Sequence, residues 1–426
     1  MKFSDFPQAV VNENVDWSVR EITNVIKRYG PRESGSENCL AAQKHIKKEM
    51  DTFCDETGFE EFKIAPKAFL LFTKVVSLIF IVTAVVSLLL VYLGVFDNVG
   101  YDAFFVPNIL AGCAALLAII IAFVQVGLYI PFADIFHKKH TAQNLYAIRK
   151  PRGEVKKRII ISGHVDAAYE WRHILFSKKA HLMFPLMGFT IVSAAISVIA
   201  SVLSVVSSVG NLGGFGSFMI DYGFYFHIFT VLGMIFLFLF VDFDTVSPGA
   251  NDNLTGTYAA VSAIRMLDMA GVELENTEVM ALITDGEEAG LRGAKAWVKA
   301  HRDELTKGDV ETVVLCAETF GDMDYFKVYN RDMNSMVAHN KEFSAFVKEA
   351  GKDAGYDMKY GSIFMGSSDA TAFTQNKVKC CAIAAMNPWP ADYYHNRRDN
   401  ANRLDPEVIK AGYNVVLSTI LKFDEE

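Results

Sequence analysis

The stretch EVMALITDGEEAGLRGAKAW, Glu278–Trp297, passes from one kind of sequence to another twice. Glu278–Thr284 is a short apolar run of strand length, and Ala289–His301 carries helical periodicity. Between them Glu287 and Glu288 stand side by side just past the end of the strand. Adjacent carboxylates repel one another. An acidic first turn favoured by the helix dipole is one explanation. The sharper one is that one carboxylate binds a divalent ion while the other takes a proton from an attacking water.

Outward from this stretch the chain keeps alternating. Helical periodicity marks Trp17–Tyr29 and Cys39–Phe53, with Ser36 as a cap before the second. Asn144–Ile148 and Arg158–Ser162 read as strands parted by a turn at Pro151-Arg152-Gly153. Asn253–Met269 is helical, Thr312–Ala317 and Tyr325–Tyr329 are strands, and Lys341–Ala354 is a helix. The strand Cys380–Met386 and the helix Pro406–Phe423 follow, with Pro at the first helical turn. This alternation predicts an α/β fold, a three-layer sandwich around a mostly parallel mixed sheet.

That layout gathers chemistry past the carboxyl ends of strands, where open α/β sheets bind ligands. His164 and Asp166 follow one strand, Glu318 another, and His395 lies beyond a third. Asp252 precedes a helix. Asp166 is placed to accept from the His164 ring and set its tautomer. Each residue has a plainer reading: HxD as surface, Asp252 as an N-cap, His395 as a loop histidine. Glu318, between Leu315-Cys316-Ala317 and Phe320, needs a partner, because an unpaired carboxylate is costly in an apolar run. Two imidazoles and three carboxylates make two three-ligand sites if Asp252 bridges. That donor set suits a pair of zinc ions about 3.5–4 Å apart.

The chain is 51% hydrophobic, and the excess is concentrated. Val75–Phe96, Ala103–Ala133, His181–Ser208 and Tyr222–Val241 each approach or exceed the roughly 20 residues that cross a bilayer core. Four buried core helices are the alternative. As membrane spans they form two hairpins, turning through Asp97–Asp102 and through the Gly-rich loop Val209–Asp221. Neither turn holds Lys or Arg, whereas Lys63, Lys67, Lys74, Lys138, Lys139, Arg172, Lys178 and Lys179 crowd the opposite ends. This bias predicts a multi-pass integral membrane protein of the plasma membrane, hairpin tips outside and the rest cytoplasmic. The expected division is a soluble domain over 1–66, 137–179 and 244–426, interrupted by hairpins over 67–136 and 180–243. Inside the spans, Gln125 is expected to bond across a helix pair and His227 to lie near the membrane interface. The N-terminus has no apolar core of a signal peptide, and the six cysteines show no disulfide or zinc-knuckle spacing, which fits a reducing compartment. A net charge of −8 without aromatic-basic interleaving speaks against nucleic-acid binding.

Three motifs carry a family resemblance: Tyr29-Gly-Pro-Arg-Glu-Ser-Gly-Ser36, GANDNLTG at Gly249–Gly256, and TDGEEAGLRGAKAW at Thr284–Trp297. Together with His164-Val-Asp166, Glu318 and His395 they resemble metallopeptidase family 28, co-catalytic zinc exopeptidases that include aminopeptidases and glutamate-carboxypeptidase-like proteins. The resemblance covers the soluble parts nearly end to end. It implies a zinc-exopeptidase-like fold and two Zn2+ per chain. His164 and Glu318 would hold one ion, Glu288 and His395 the other, and Asp252 would bridge. Glu287 would be the general base and Tyr394 would help to stabilise the oxyanion. The Asp252–Asn253 peptide would be cis. The chain departs from the family in having Glu318 where most relatives have Asp, in reading Ser367-Ser368-Asp369-Ala370 at the SDH-like segment, and in its hairpins. The expected function is a membrane-anchored exopeptidase acting on peptides, an aminopeptidase first. Carboxypeptidase or single-zinc glutaminyl-cyclase chemistry, an inactive membrane sensor or scaffold, and more weakly a transporter are the alternatives. Residue preference and oligomeric state stay open.

Overall fold

A computed structural model describes residues 1–96, 103–176, 182–210, 213–364, 366–389 and 391–426; the first hairpin tip at 97–102, Lys178 and Lys179 lie outside them. The chain forms two compact units, one of Met1–Lys67, Asp134–Glu170 and Phe243–Glu426, the other of Ala68–Ala133 and Trp171–Asp242. In chain order the first half comprises α1 (Gln8–Tyr29), α2 (Glu37–Met50), β1 (Glu56–Ile64), α3 (Ala68–Tyr92), α4 (Phe105–Ala122), β2 (His140–Arg149), β3 (Lys157–His164) and β4 (Tyr169–Trp171). Next come α5 (Arg172–Phe176), α6 (Met183–Val209), α7 (Gly213–Tyr222), α8 (His227–Phe240), β5 (Val241–Val246), α9 (Thr255–Met269), β6 (Thr277–Thr284) and α10 (Arg292–Lys307). The chain ends with β7 (Glu311–Phe320), β8 (Phe326–Asp332), β9 (Val337–Ala338), α11 (Lys341–Asp353), β10 (Lys359–Ile363), α12 (Ala370–Gln375), β11 (Lys379–Ala385) and α13 (Pro406–Glu425).

The first unit is built on a mixed sheet of order β1-β2-β6-β3-β7-β11-β8-β10, with β9 added to β8. Its centre, β6-β3-β7-β11, is parallel. β2 joins β6, β1 joins β2, and β8 joins β11, all antiparallel. The central strands are apolar because both sheet faces are covered. Ile159 and Ile161 of β3 enter one core with residues of α1, α2, α9 and α13, while Ile160 enters the other with Trp297 and Phe373. This is the α/β sandwich expected from the alternation.

Several boundaries differ from the sequence reading for physical reasons. β1 and β10 were not foreseen. They are edge strands with largely accessible side chains, and β1 carries Glu56, Glu60, Glu61 and Lys63, a composition typical of protected edges. α10 starts at Arg292 rather than Ala289, because the amides of Gly290 and Leu291 both turn back to the Glu287 carbonyl and Leu291 takes φ +63°. α9 starts at Thr255 because Asp252 and Asn253 have non-helical backbone angles. Ser36 does cap α2, accepting from the Cys39 amide.

Two glycines set how closely α9 lies on the sheet. A Cβ on Gly256 would stand 2.1 Å from the Ala317 carbonyl oxygen, and one on Gly163 would stand 2.5 Å from the Gly256 carbonyl carbon. The first turn of α9 therefore rests directly on β3 and β7, which carry His164 and Glu318 near their ends.

In the second unit, Ala68–Tyr92, Phe105–Gly127, Met183–Val209 and Gly213–Phe240 are helical stretches of 25, 23, 27 and 28 residues, long and apolar enough to cross a membrane. Most of the loop expected over Val209–Asp221 is instead α7; Phe215, Phe218 and Met219 make it apolar, and glycine is tolerated in apolar helices. The fourth stretch thus starts earlier than expected, and His227 falls near its middle rather than near an end. The unit inverts the usual pattern. Leu78, Val85, Leu89, Leu117, Ile191 and Phe229 are exposed, whereas Ser77, Asn108, Ser197, Ser204, His227 and Thr230 are buried.

Those buried groups form a ladder. Thr190, Ser193, Ser197, Ser201 and Ser204 recur at steps of three and four on one face of α6. His227 bonds through Nδ1 to Ser197 Oγ and through Nε2 to Asn108 Oδ1, both at 2.8 Å. Asn108 Nδ2 donates to Ser204 Oγ at 2.6 Å, and the Ser197 and Thr230 hydroxyls meet at 2.6 Å. Gln125 donates to the Ala68 carbonyl, across the helix pair as expected.

Two outcomes follow from this packing. Gly256→Ala should destabilise the first unit by about 1–3 kcal/mol through forced backbone movement, read as a lower Tm; an unchanged Tm would contradict the close approach. Asn108→Leu should destabilise the helical unit by roughly 0.6–2 kcal/mol in detergent unfolding, and wild-type stability would show that the ladder contributes nothing.

Candidate metal centre

The site begins with a buried arginine. Arg32, fully buried after α1, donates through Nε to the Val165 carbonyl at 2.7 Å. Its two terminal nitrogens donate to the carbonyls of Pro248 at 2.8 Å and Gly249 at 2.9 Å. The Arg32 carbonyl accepts from the Ala167 amide. One side chain thus fastens the end of β3, which carries His164, to the loop that carries Asp252. Burial holds its pKa below the ordinary arginine value, opposed by neighbours that include Asp399 and Asp166.

Two carboxylates continue the framework. Asp399 accepts from the amides of Asn251 at 2.9 Å and Asp252 at 3.0 Å, so the His395 segment grips the Asp252 loop. Asp166 accepts from Ser34 Oγ at 2.6 Å and from the amides of Glu287 at 3.2 Å and Glu288 at 3.1 Å. Asp166 also lies beside the His164 ring, the partner expected for it. The His164 ring bonds at 3.1 Å to the backbone carbonyl of Asp166, and the nearer carboxylate oxygen is 3.5 Å away. The carboxylate is occupied in positioning the acidic pair. The Asp252–Asn253 peptide is cis, as the resemblance implied.

On this framework the five expected ligands converge. His164 Nε2 is 3.5 Å from Asp252 Oδ1, 3.6 Å from Glu318 Oε2 and 3.8 Å from Glu287 Oε2. His395 Nε2 is 3.1 Å from Asp252 Oδ2 and 3.4 Å from Glu288 Oε1. Asp252 therefore turns one oxygen to each histidine. Two donor groups, His164 with Glu287 and Glu288, and Asp252 with Glu288 and His395, each have their ligand atoms within 4.8 Å of one another. Asn253 Nδ2 donates to Glu318 Oε2 at 2.8 Å and steadies it. The Tyr394 ring stacks on His395 with centroids 3.8 Å apart.

The electrostatics ask for a cation. Burial pushes Glu287 and Glu288 well above the usual carboxylate range, and neighbouring carboxylates add to it. Burial raises Glu318 to about 8 and Asp369 to about 6. His164 is raised well above its ordinary value despite burial, because Glu287, Asp166, Asp252 and Glu318 surround it. Glu288 Oε1 is buried and accepts no hydrogen bond. Imidazole and carboxylate donors, excess negative charge and an orphaned buried oxygen fit zinc.

Arg32, Asp399 and Asp369 escaped the sequence reading as site residues. Asp369, in the SDH-like segment, accepts from Thr284 Oγ1 at 2.6 Å, beside the acidic loop. Asp399 lies four residues after His395, and Arg32 lies in a motif quoted for its resemblance; neither has a local pattern that reveals its contacts.

Residues 238–420 match the family model described as Peptidase family M28. Among curated proteins no relative matches the sequence. The fold is similar to a Zn-dependent exopeptidase from Parabacteroides distasonis, at 12% identity and TM-score 0.52, covering 95% of this chain and 97% of that one. It is also similar to a glutaminyl cyclase from Bacteroides thetaiotaomicron, with the same identity, TM-score and coverage. An aminopeptidase from Aneurinibacillus sp. matches at 13% identity and TM-score 0.51, covering 98% of this chain and 96% of that one. Over residues 238–420 the chain thus matches peptidase family M28, on a fold similar to that of zinc exopeptidases and with a donor set that suits zinc.

Proposed function

We propose that the first unit is a di-zinc aminopeptidase and that the second anchors it in a membrane. The observation that carries the catalytic reading is Asp252, whose two oxygens face His164 and His395 separately. On this reading His164, Asp252 and Glu318 would hold one zinc ion, and Asp252, Glu288 and His395 would hold the other. When bound, the pair supplies Lewis-acid polarisation of the scissile carbonyl and a lowered pKa for water.

The chain's own residues supply the rest. Glu287 is the spare carboxylate of the pair, 3.8 Å from His164, and its backbone amide donates a hydrogen bond to Asp166. It takes the proton of the attacking water and returns it to the leaving amine. Asp166 positions Glu287 and Glu288 by accepting from both of their amides on one carboxylate. Tyr394, whose ring stacks on that of His395, is assigned to steady the oxyanion. The substrate is a peptide with a free amino end.

The membrane reading rests on helix length and on the inverted burial of the second unit. At 1.5 Å per residue the four stretches of 23 to 28 residues exceed the roughly 30 Å hydrocarbon core. Apolar side chains face outward and polar ones are satisfied within. The distribution of Lys and Arg supports a cytoplasmic catalytic unit, and the plasma membrane is the membrane proposed.

Glu287→Gln should bind zinc almost normally and lose about 10²–10⁴-fold in kcat, while Glu288→Gln should lose zinc as well. Metal content and turnover of aminoacyl and N-blocked peptides, measured on the detergent-purified chain, check this. Near-normal turnover by Glu287→Gln would overturn the mechanism. One functional zinc with cyclisation of N-terminal glutamine would favour the glutaminyl-cyclase alternative, and cleavage of N-blocked peptides would favour a carboxypeptidase.

A further inference from the structure

Away from the catalytic residues, one more set of metal-ligating side chains converges among the described residues. Glu21 of α1 and His45 and Glu49 of α2 have donor atoms within 4.8 Å of one another. His45 and Glu49 are one helical turn apart and share a face of α2. The M28 match begins at residue 238 and does not include these residues.

The orientation of the carboxylates is informative. Glu21 Oε2 stands 3.2 Å from His45 Nε2 and Glu49 Oε1 stands 3.7 Å from the same nitrogen. The other oxygen of each is held from outside the trio. Glu21 Oε1 accepts from Asn24 Nδ2 at 3.1 Å, and Glu49 Oε2 accepts from the phenol of the fully buried Tyr258 at 3.2 Å. Each carboxylate thus presents a single oxygen toward the imidazole, with its rotation fixed by an outer donor. That is the support a monodentate metal ligand has. Zinc bonds of about 2.0–2.2 Å in a tetrahedron put ligand atoms roughly 3.3–3.5 Å apart, and the two separations fall on either side of that edge.

The charge balance agrees. Two carboxylates face one imidazole in a pocket where their side chains are 17% and 18% exposed. A proton offsets one of the two carboxylate charges, whereas a dication offsets both.

We propose that Glu21, His45 and Glu49 form a further zinc site, with water at the fourth position, that clamps α1 to α2. Through Tyr258 the site also holds α9, the helix that follows the Asp252 loop. It is separate from the catalytic centre and does not depend on the reading of that centre.

The test uses the full chain in detergent, stripped of metal and equilibrated with Zn2+, with bound zinc counted by mass spectrometry. His45→Ala and Glu21→Gln should each bind one zinc fewer per chain than wild type, while His395→Ala keeps this ion. Glu21→Gln preserves side-chain shape on a helix surface, and circular dichroism of the zinc-free proteins separates ligand loss from misfolding. Equal zinc content in wild type and both variants would overturn the proposal. So would variants that lower Tm in the absence of zinc and leave zinc binding unchanged, since the trio would then be only an internal ion pair.

Discussion

The buried guanidinium of Arg32 is the constraint on which the catalytic unit depends. Its nitrogens hold the carbonyls of Val165, Pro248 and Gly249. Hydrogen bonds from a charged donor are each worth about 1.5–3 kcal/mol, and removing the donor leaves buried acceptors unpaired. The three carbonyls belong to the two segments that present His164 and Asp252. Together with Thr257 Oγ1, which donates to the His164 carbonyl at 2.7 Å, this link sets the spacing between the end of β3 and the loop before α9, and metal ligands tolerate errors of a few tenths of an ångström. Asp399 and Asp166 repeat the device with the opposite charge, gripping backbone amides of the Asp252 loop and of the acidic pair.

This framework holds the ligands in an arrangement that repels itself. Asp252, Glu287, Glu288 and Glu318 crowd around two imidazoles, and burial raises three of these carboxylates above their usual range. Such a cluster costs stability unless cations enter it, so metal binding and folding of the loops are one equilibrium. The close seat of Gly256 on Ala317 belongs to the same design, because it brings the Asp252 loop to the ends of β3 and β7.

Much of this was legible in the sequence. The ligand residues stood out because their types recur just past apolar strands, and the central strands because both their faces are buried. What escaped reading depends on tertiary contacts with no local pattern. Arg32 looks like any arginine in a turn, and nothing local shows that Asp166, beside the His164 ring, also accepts from the amides of Glu287 and Glu288. β1 and β10 escaped because charged edge strands lack the apolar alternation that marks a strand. α7 escaped because its glycines read as a loop, although its phenylalanines make it an apolar helix. His227 read as interfacial because the span was started too late; its partners on α4 and α6 are distant in sequence.

The central claim is that Asp252 shares its two oxygens between two ions. Crystals of the zinc-loaded chain, measured at the zinc absorption edge, test it most directly. The account predicts two anomalous peaks within the pentad of His164, Asp252, Glu288, Glu318 and His395, one on each side of the Asp252 carboxylate. A single peak there, with Glu318 or His395 turned away from it, would contradict it.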